Sequence, residues 1–332
     1  MRLEITELHP EPVIGRSHPD AAGNRFGFEC GRAFKHAGRT VIFTTECFDE
    51  PKTACSRLAI WTSDDGLAFR RHSTIVETNY DWHDTTSFRM APWQPQPVFD
   101  AATDRWHLFH VAYSRKPGAS VPYNMHGRTA RLESLTPGWA GLLGPYVDRG
   151  FVELIGPRGD WEGPGNEVGF YPYRMDDGWC AFFGGNTVPE EVGDNQHFFG
   201  VGLARAASIL GPWQRLAERN PVLLDPTFVE NPVVDRLAPD LFVAVYDGAT
   251  EGGIAYALSA DGIDWGAEQV MRWASAPAWL KAPRTPLGLL HEQGNAYTLY
   301  FTAFDGLFPD GFVEPWWHDG FGNVGLARVR LV

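Results

Sequence analysis

Residues 296–306 read AYTLYFTAFDG, an aromatic-rich run that follows the apolar run and polar turn PLGLLHEQG at 286–294. Two β-prone runs on either side of a short Gly-containing turn read as a hairpin. The same pairing occurs four more times: GRAFKHAG with RTVIFTTE (39–46), QPVFDAATD with RWHLFHVAYS (105–114), GFYPYRMDD with GWCAFFGGN (178–186), and NPVVDRLAP with DLFVAVYDG (240–248). After each hairpin comes a further recurring element: SRLAIWTSDDGLAF (56–69), GRTARLESLTPGW (127–139), FGVGLARAASILGPW (199–213), GIAYALSADGIDW (253–265) and GNVGLARVRLV (322–332). SDDGLAF and SADGIDW share one turn chemistry, in which Asp-Gly supplies a positive φ, and two of the elements share VGLAR.

Spacing between elements is about 50 to 75 residues, which is long for a solenoid and suits a four-stranded blade with an inserted loop. The reading is therefore an all-β chain: a five-bladed β-propeller, a single domain over residues 1–332. The fifth element ends the chain, so a strand from about residues 3–14 is expected to complete the last blade and remove its open edge. Helical periodicity is nearly absent; only 128–135 and 203–210 imitate short helices.

The 332-residue composition, 44% hydrophobic with 21% charged, allows a large core. A formal net charge of −13 and the lack of any basic run of five argue against a nucleic-acid partner. No stretch approaches 18 uninterrupted apolar residues and the N-terminus lacks signal-peptide layout, so no membrane association is expected. The expected location is the cytoplasm, although a leader already removed would be invisible in this sequence. Cys30, Cys47, Cys55 and Cys180 lack CxxC spacing; their number allows two disulfides, and buried free thiols are the expected state. Neither a Walker sequence nor GxGxxG occurs, and no HxH or HExxH spacing supports a catalytic zinc.

In a propeller the inner strand of every blade starts beside the central channel. Those starts are FEC (28–30), WQPQP (93–97), NEV (166–168), VENP (229–232) and KAPRTP (281–286). Glu29, Glu167 and Glu230 thus occupy three of them, Trp93, Gln94 and Gln96 the second, and Lys281 and Arg284 the fifth. One such glutamate alone reads as a backbone acceptor or ion-pair partner. Three at one place in a repeat favour catalysis, because carboxylates sharing a pocket push each other's pKa values apart. Arg284 reads either as their salt-bridge partner or as a contact to substrate. The long segments 77–93, 113–127, 186–199 and 305–322 are expected to be functional; they bring Trp82, His83, Asp84, His126, Asp194, His197, Trp316, Trp317, His318 and Asp319.

The arrangement resembles the five-bladed propeller glycoside hydrolases, the group of arabinanases, β-xylosidases, α-L-arabinofuranosidases, invertases and levansucrases. In that group a carboxylate opens the first inner strand about nine residues before the hairpin Gly. Glu29 stands nine before Gly38 in FECGRAFKHAGRTVIF, as Glu where those families usually have Asp. Their acid is a Glu opening the third blade, often as E-x-P before an apolar strand. Glu167 in GNEVGFYPY has the position without the proline, and Glu230 in ENPVV has the proline one blade later. Near the place of their second-blade Asp stand Gln94 and Gln96, with Asp81 and Asp84 in the preceding loop.

The resemblance implies a glycosidase acting on an oligo- or polysaccharide, by an acid and a second carboxylate at the central pocket. Glu29 would be base or nucleophile and Glu167 the acid, with Glu230 its partner or the acid itself. Trp93, Gln94, Arg284, His197, His318 and Asp84 would contact sugar. No cofactor is expected, a structural calcium in the channel being left open, and no partner protein is indicated. Two other readings remain: a related phosphorylase, which would gather Arg284, Lys281, Arg32 and His318 around phosphate, and a non-catalytic sugar-binding propeller.

Overall fold

The Asp-Gly turns form as their chemistry requires. In a computed structural model, Asp65 Oδ1 accepts the Ser63 hydroxyl and the amides of Leu67 and Ala68, each at 2.8 Å, while Gly66 takes φ 76°. Asp261 repeats this with Ser259, Ile263 and Asp264 around Gly262 at φ 72°. The structure describes residues 1–49, 54–78, 91–114, 126–163, 167–186, 199–222, 228–248, 253–307 and 320–332.

Their regular structure is almost wholly β. The first meander comprises β2 (Gly27–His36), β3 (Arg39–Asp49), β4 (Ala54–Ser63) and β5 (Arg70–Glu77), and follows the N-terminal strand β1 (Leu3–Leu8). The second comprises β6 (Ala91–Asp100), β7 (Arg105–Ser114), β8 (His126–Ser134) and β9 (Tyr146–Phe151). After the short β10 (Leu154–Ile155) come β11 (Glu167–Met175), β12 (Gly178–Asn186), β13 (Phe199–Ala206) and β14 (Trp213–Arg215). The fourth holds β15 (Val229–Ala238), β16 (Leu241–Gly248), β17 (Gly253–Ser259) and β18 (Gln269–Arg272). The last holds β19 (Ala282–Gln293), β20 (Ala296–Phe304) and β21 (Gly322–Leu331), with β1 antiparallel to β21 as its outer strand. Every expected hairpin is present, and the two helix-like stretches fall on β8 and β13.

Each strand presents one apolar face to the preceding meander and one to the next, so the core is divided into layers. Phe43 and Ile60 meet Trp106 and Leu108; Phe109 meets Phe170 and Trp213; Phe182 meets Tyr246; Val245 meets Phe301. The last layer returns to the first meander, where Tyr300 and Leu326 pack with Ile42 and Trp61. The inner strands follow the same order: β2 lies against β6, β6 against β11, β11 against β15, β15 against β19, and β19 against β2.

The first and last meanders are joined through one parallel pair, Gly27 with Gly322. A Cβ on Gly322 would stand 2.0 Å from the Phe28 carbonyl oxygen, so only glycine permits this approach. Gly322→Ala is expected to lower stability by about 1–3 kcal/mol, the usual cost of overpacking. An unchanged urea midpoint would show that the seam yields without cost.

Cys30, Cys47 and Cys180 are buried free thiols, as expected, and the Cys55 side chain lies outside the described residues. Among the described residues no helix is long and apolar enough to cross a membrane.

Candidate active site

Every inner strand slips register near its start: between Glu29 and Gly31, Trp93 and Gln96, Glu167 and Phe170, Glu230 and Val233, and Pro283 and Pro286. A bulge inserts an unpaired residue and re-aims the side chains beside it. In three of the five, the residue after the site position is left-handed without being glycine: Cys30 (φ 58°), Gln94 (φ 57°) and Asn231 (φ 55°). That conformation costs roughly 1–2 kcal/mol per residue, less for asparagine, and persists only where the surroundings hold it.

Glu29, Glu230 and Arg284 meet at these bulges. Arg284 donates Nε–H to Glu29 Oε1 at 3.0 Å and Nη2–H to Glu230 Oε2 at 2.7 Å, and its Nη1–H goes to Asp247 Oδ2. Asp247 lies on β16 directly opposite Glu230 in the antiparallel register. Glu29 is 1% exposed and Glu230 and Asp247 are each 9% exposed. Burial disfavours the Arg284 charge, and Asp247, Glu230 and Glu29 more than offset it, so the guanidinium is held firmly protonated.

Burial pushes Asp247 up to about 7 despite Arg284, with Glu230 and Glu29 adding repulsion in the same direction. Glu230 is also raised, first by burial, then by Glu29 acting against Arg284. An unfolded Asp titrates near 3.9. The bound proton of Asp247 therefore contributes stability that is complete below about pH 4 and lost as pH rises through about 7. Asp247→Asn is expected to remove a slope on the order of 1 kcal/mol per pH unit across that interval. Urea midpoints measured along it would show the opposite if wild type and variant ran parallel.

Glu167 occupies the equivalent bulge on β11 but has different neighbours. Its Oε2 accepts the Thr129 amide of β8 at 2.5 Å. Burial raises its pKa, opposed by that amide and by the charges of Arg128 and Arg215. The structure thus brings Glu29 and Glu230 together on Arg284 and seats Glu167 against the second meander.

Behind the carboxylates, all five inner strands contribute a side chain to a single polar cluster: Cys30, Gln94, Asn231 and Thr285, each directly after its site position, and Tyr171, four residues after Glu167. Gln94 donates Nε2–H to Asn231 Oδ1, and the Tyr171 hydroxyl lies 2.7 Å from Gln94 Oε1 and 2.9 Å from Asn231 Oδ1. Asn231 Nδ2–H donates to Thr285 Oγ1 at 3.3 Å, and Cys30 Sγ stands 3.5 Å from Thr285 Oγ1 and 3.8 Å from Asn231 Oδ1.

No protein-family model matches the sequence, and no curated protein resembles it in sequence. Solved structures do resemble the chain. A family 117 glycoside hydrolase from the marine bacterium Zobellia galactanivorans superposes with a TM-score of 0.64 over 98% of this chain and 90% of its own, at 14% identity. A GH43_1 enzyme from Xanthomonas citri, solved with xylotriose, gives 0.59 over 96% and 89%, at 13% identity. A structure from the GH130 family of mannoside phosphorylases, which contains glycoside hydrolases targeting β-1,2 mannosidic linkages in Candida mannan, gives 0.63 over 98% and 93%, at 13% identity. The fold is that of the propeller-type glycoside hydrolases.

Within this propeller fold, the other end of the inner strands opens into a cavity of about 480 Å³ lined by Phe34, Phe99, Trp139 and Trp179. Its cations are engaged within the chain: Arg32 with Asp235, Lys35 with Glu292 and Arg236 with Asp176, while Arg174 lies over Trp179. Arg32 therefore belongs to that end and Arg284 to the carboxylates, so the two do not gather in one phosphate site.

Trp93 is buried, edge-on to Tyr113 at 6.5 Å. Gln94 is buried in the polar cluster. His197, His318 and Asp84 lie outside the described residues, as do Asp81, Trp82, His83, Asp194, Trp316, Trp317 and Asp319, and the His126 side chain is likewise not described. Among the described residues no group of three His, Cys, Asp or Glu could hold a metal ion.

Sequence reasoning missed Asp247. Counting back from the turn of the fourth hairpin would have found it, since the register sets it across from Glu230. It also missed Tyr113, whose phenol is pushed up first by burial and then by Glu230, Cys30 and Glu29.

Proposed function

We propose that the five meanders are the blades of one closed five-bladed β-propeller domain spanning residues 1–332, and that the chain is a glycoside hydrolase. The observation that carries this reading is the convergence of Glu29, Glu230 and Asp247 on Arg284, with Glu167 at the equivalent bulge of β11. Buried carboxylates whose charge is held by one neighbour and opposed by burial can divide into proton donor and proton acceptor. The propeller fold shared with glycoside hydrolases supports the same conclusion.

In this mechanism an acid transfers its proton to the glycosidic oxygen as the bond to the anomeric carbon breaks. A second carboxylate activates water or attacks that carbon. Glu29, held by the Arg284 guanidinium, takes the second role. Glu167 takes the first: burial raises its pKa, and among the described residues its carboxylate meets a backbone amide where Glu230 meets a guanidinium. Trp93 and Arg284 open inner strands as the carboxylates do, with Gln94 behind them in the polar cluster; the sugar contacts are assigned to these three and to His197, His318 and Asp84 of the long segments. The polar cluster behind the carboxylates crosses the channel, which suits removal of a terminal sugar from an oligo- or polysaccharide. No cofactor takes part.

Acidic surroundings at Arg284 favour hydrolysis over phosphorolysis, because an incoming phosphate would face the three carboxylates that already occupy the guanidinium. The experiment is turnover of aryl furanosides and pyranosides with and without inorganic phosphate. Phosphate-independent release of aglycone is expected. Phosphate-dependent turnover would transfer the chain to the phosphorylase reading, and sugar binding without turnover to a sugar-binding propeller.

A further inference from the structure

Three strained residues at equivalent places in the repeat ask for a cause. Cys30, Gln94 and Asn231 are left-handed without being glycine, and they directly follow Glu29, Trp93 and Glu230. Their side chains do not disperse. They meet across the axis with Tyr171 and Thr285, so each inner strand supplies one member. In a regular strand consecutive side chains point to opposite faces. At Glu29–Cys30 and Glu230–Asn231 the bulge lets the first residue serve the Arg284 cluster while the second reaches the polar cluster; at Trp93–Gln94 the first packs on Tyr113 instead.

The backbone is secured from the other side too. Gln94 donates its amide to Thr45 Oγ1 at 3.0 Å, and Thr45 is paired with Glu29 across the first hairpin. Thr285 donates its amide to Thr302 Oγ1 at 3.1 Å in the fifth meander. The Asn231 amide is the hub, with Gln94, Tyr171 and Cys30 around its oxygen and Thr285 at its nitrogen.

We propose that Asn231 is a positioning residue, whose amide ties the five strand starts together and thereby sets the orientation of Glu29 and Glu230 about Arg284. The inference rests on the reading of Glu29 as a reacting group, with Glu230 as its neighbour on Arg284. Sub-ångström control of reacting groups is where such a tie acts, since small misplacements are costly to rate.

Two variants test it: Asn231→Gly, which keeps the left-handed backbone accessible, and Tyr171→Phe, which removes one oxygen and leaves the ring. Each is compared with wild type for kcat and KM on an aryl glycoside, for thermal midpoint, and for the Asp247 carboxyl titration followed by carbon-13 NMR of aspartate-labelled protein. The signal is assigned with Asp247→Asn. Expected are a fall in kcat of about 10- to 100-fold, a KM change below about 3-fold, and an Asp247 titration displaced upward from about 7 as Arg284 loosens. A merely structural role would lower the thermal midpoint and leave kcat and the titration at wild-type values, and that result overturns the proposal. If Asn231→Gly fails to fold, Tyr171→Phe decides alone. If wild type turns over no glycoside, the hydrolase reading fails separately: a displaced titration still supports the tie, and an unmoved one sinks it.

Discussion

Replacing Arg284 with methionine is expected to cost the folded chain about 3–5 kcal/mol, the penalty for leaving buried charge uncompensated, and to abolish turnover. The guanidinium serves Glu29, Glu230 and Asp247 at once, and methionine fills similar volume without a charge. Packing is therefore largely kept while the electrostatics change. Without the cation, the raised carboxyl pKa values of Glu230 and Asp247 rise further, since Arg284 is the neighbour that lowers them. The folded variant then holds protons that the unfolded chain releases near pH 4. Its deficit relative to wild type should be largest in alkaline solution and shrink on acidification. Urea unfolding at both extremes measures this, and a deficit independent of pH would mean that Arg284 acts through packing alone.

The second large effect separates the acid from its partner. Glu167→Gln removes the proton donor, so its cost depends on how badly the leaving group needs a proton. On a sugar or alkyl leaving group the loss should be about 10²- to 10⁴-fold in kcat, the usual contribution of general acid catalysis. On a dinitrophenyl glycoside, whose aglycone departs as an anion, the loss should nearly vanish. Glu29→Gln should instead be inactive on both, because no proton on the leaving group replaces a missing base or nucleophile. A Glu230→Gln variant showing the leaving-group dependence, with Glu167→Gln indifferent to it, would move the acid to the fourth meander.

Much of this architecture was legible because it rests on short-range rules. Asp65 and Asp261 sit in equivalent turns whose geometry their neighbours dictate, and the five hairpins follow from β-rich runs flanking such turns. The meeting of Glu29 with Glu230 was legible from their shared place in the repeat, and the ion-pair reading of Arg284 from the charge it would face there. Asp247 was less visible because it stands at the end of a second strand, where only the pairing register gives it a role. The polar cluster was hidden for another reason. Positive φ is normally signalled by glycine, and Cys30, Gln94 and Asn231 carry no such mark; tertiary contacts impose their conformation. Arg32, three residues after Glu29, faces the far cavity and stands apart from Arg284, a distinction invisible to a count of cations.

Pairing of β1 with β21 sets Leu3 opposite Leu331, so hydrogen bonds join two segments with the other four meanders between them in sequence. The fifth meander lacks its outer strand until the two segments meet, and until then one edge of β21 is unpaired. Contacts of such sequence separation slow folding and prolong exposure to aggregation. The yield of folded chain thus depends on a pairing that no local hairpin brings about, and β1 carries more of that burden than its six residues suggest.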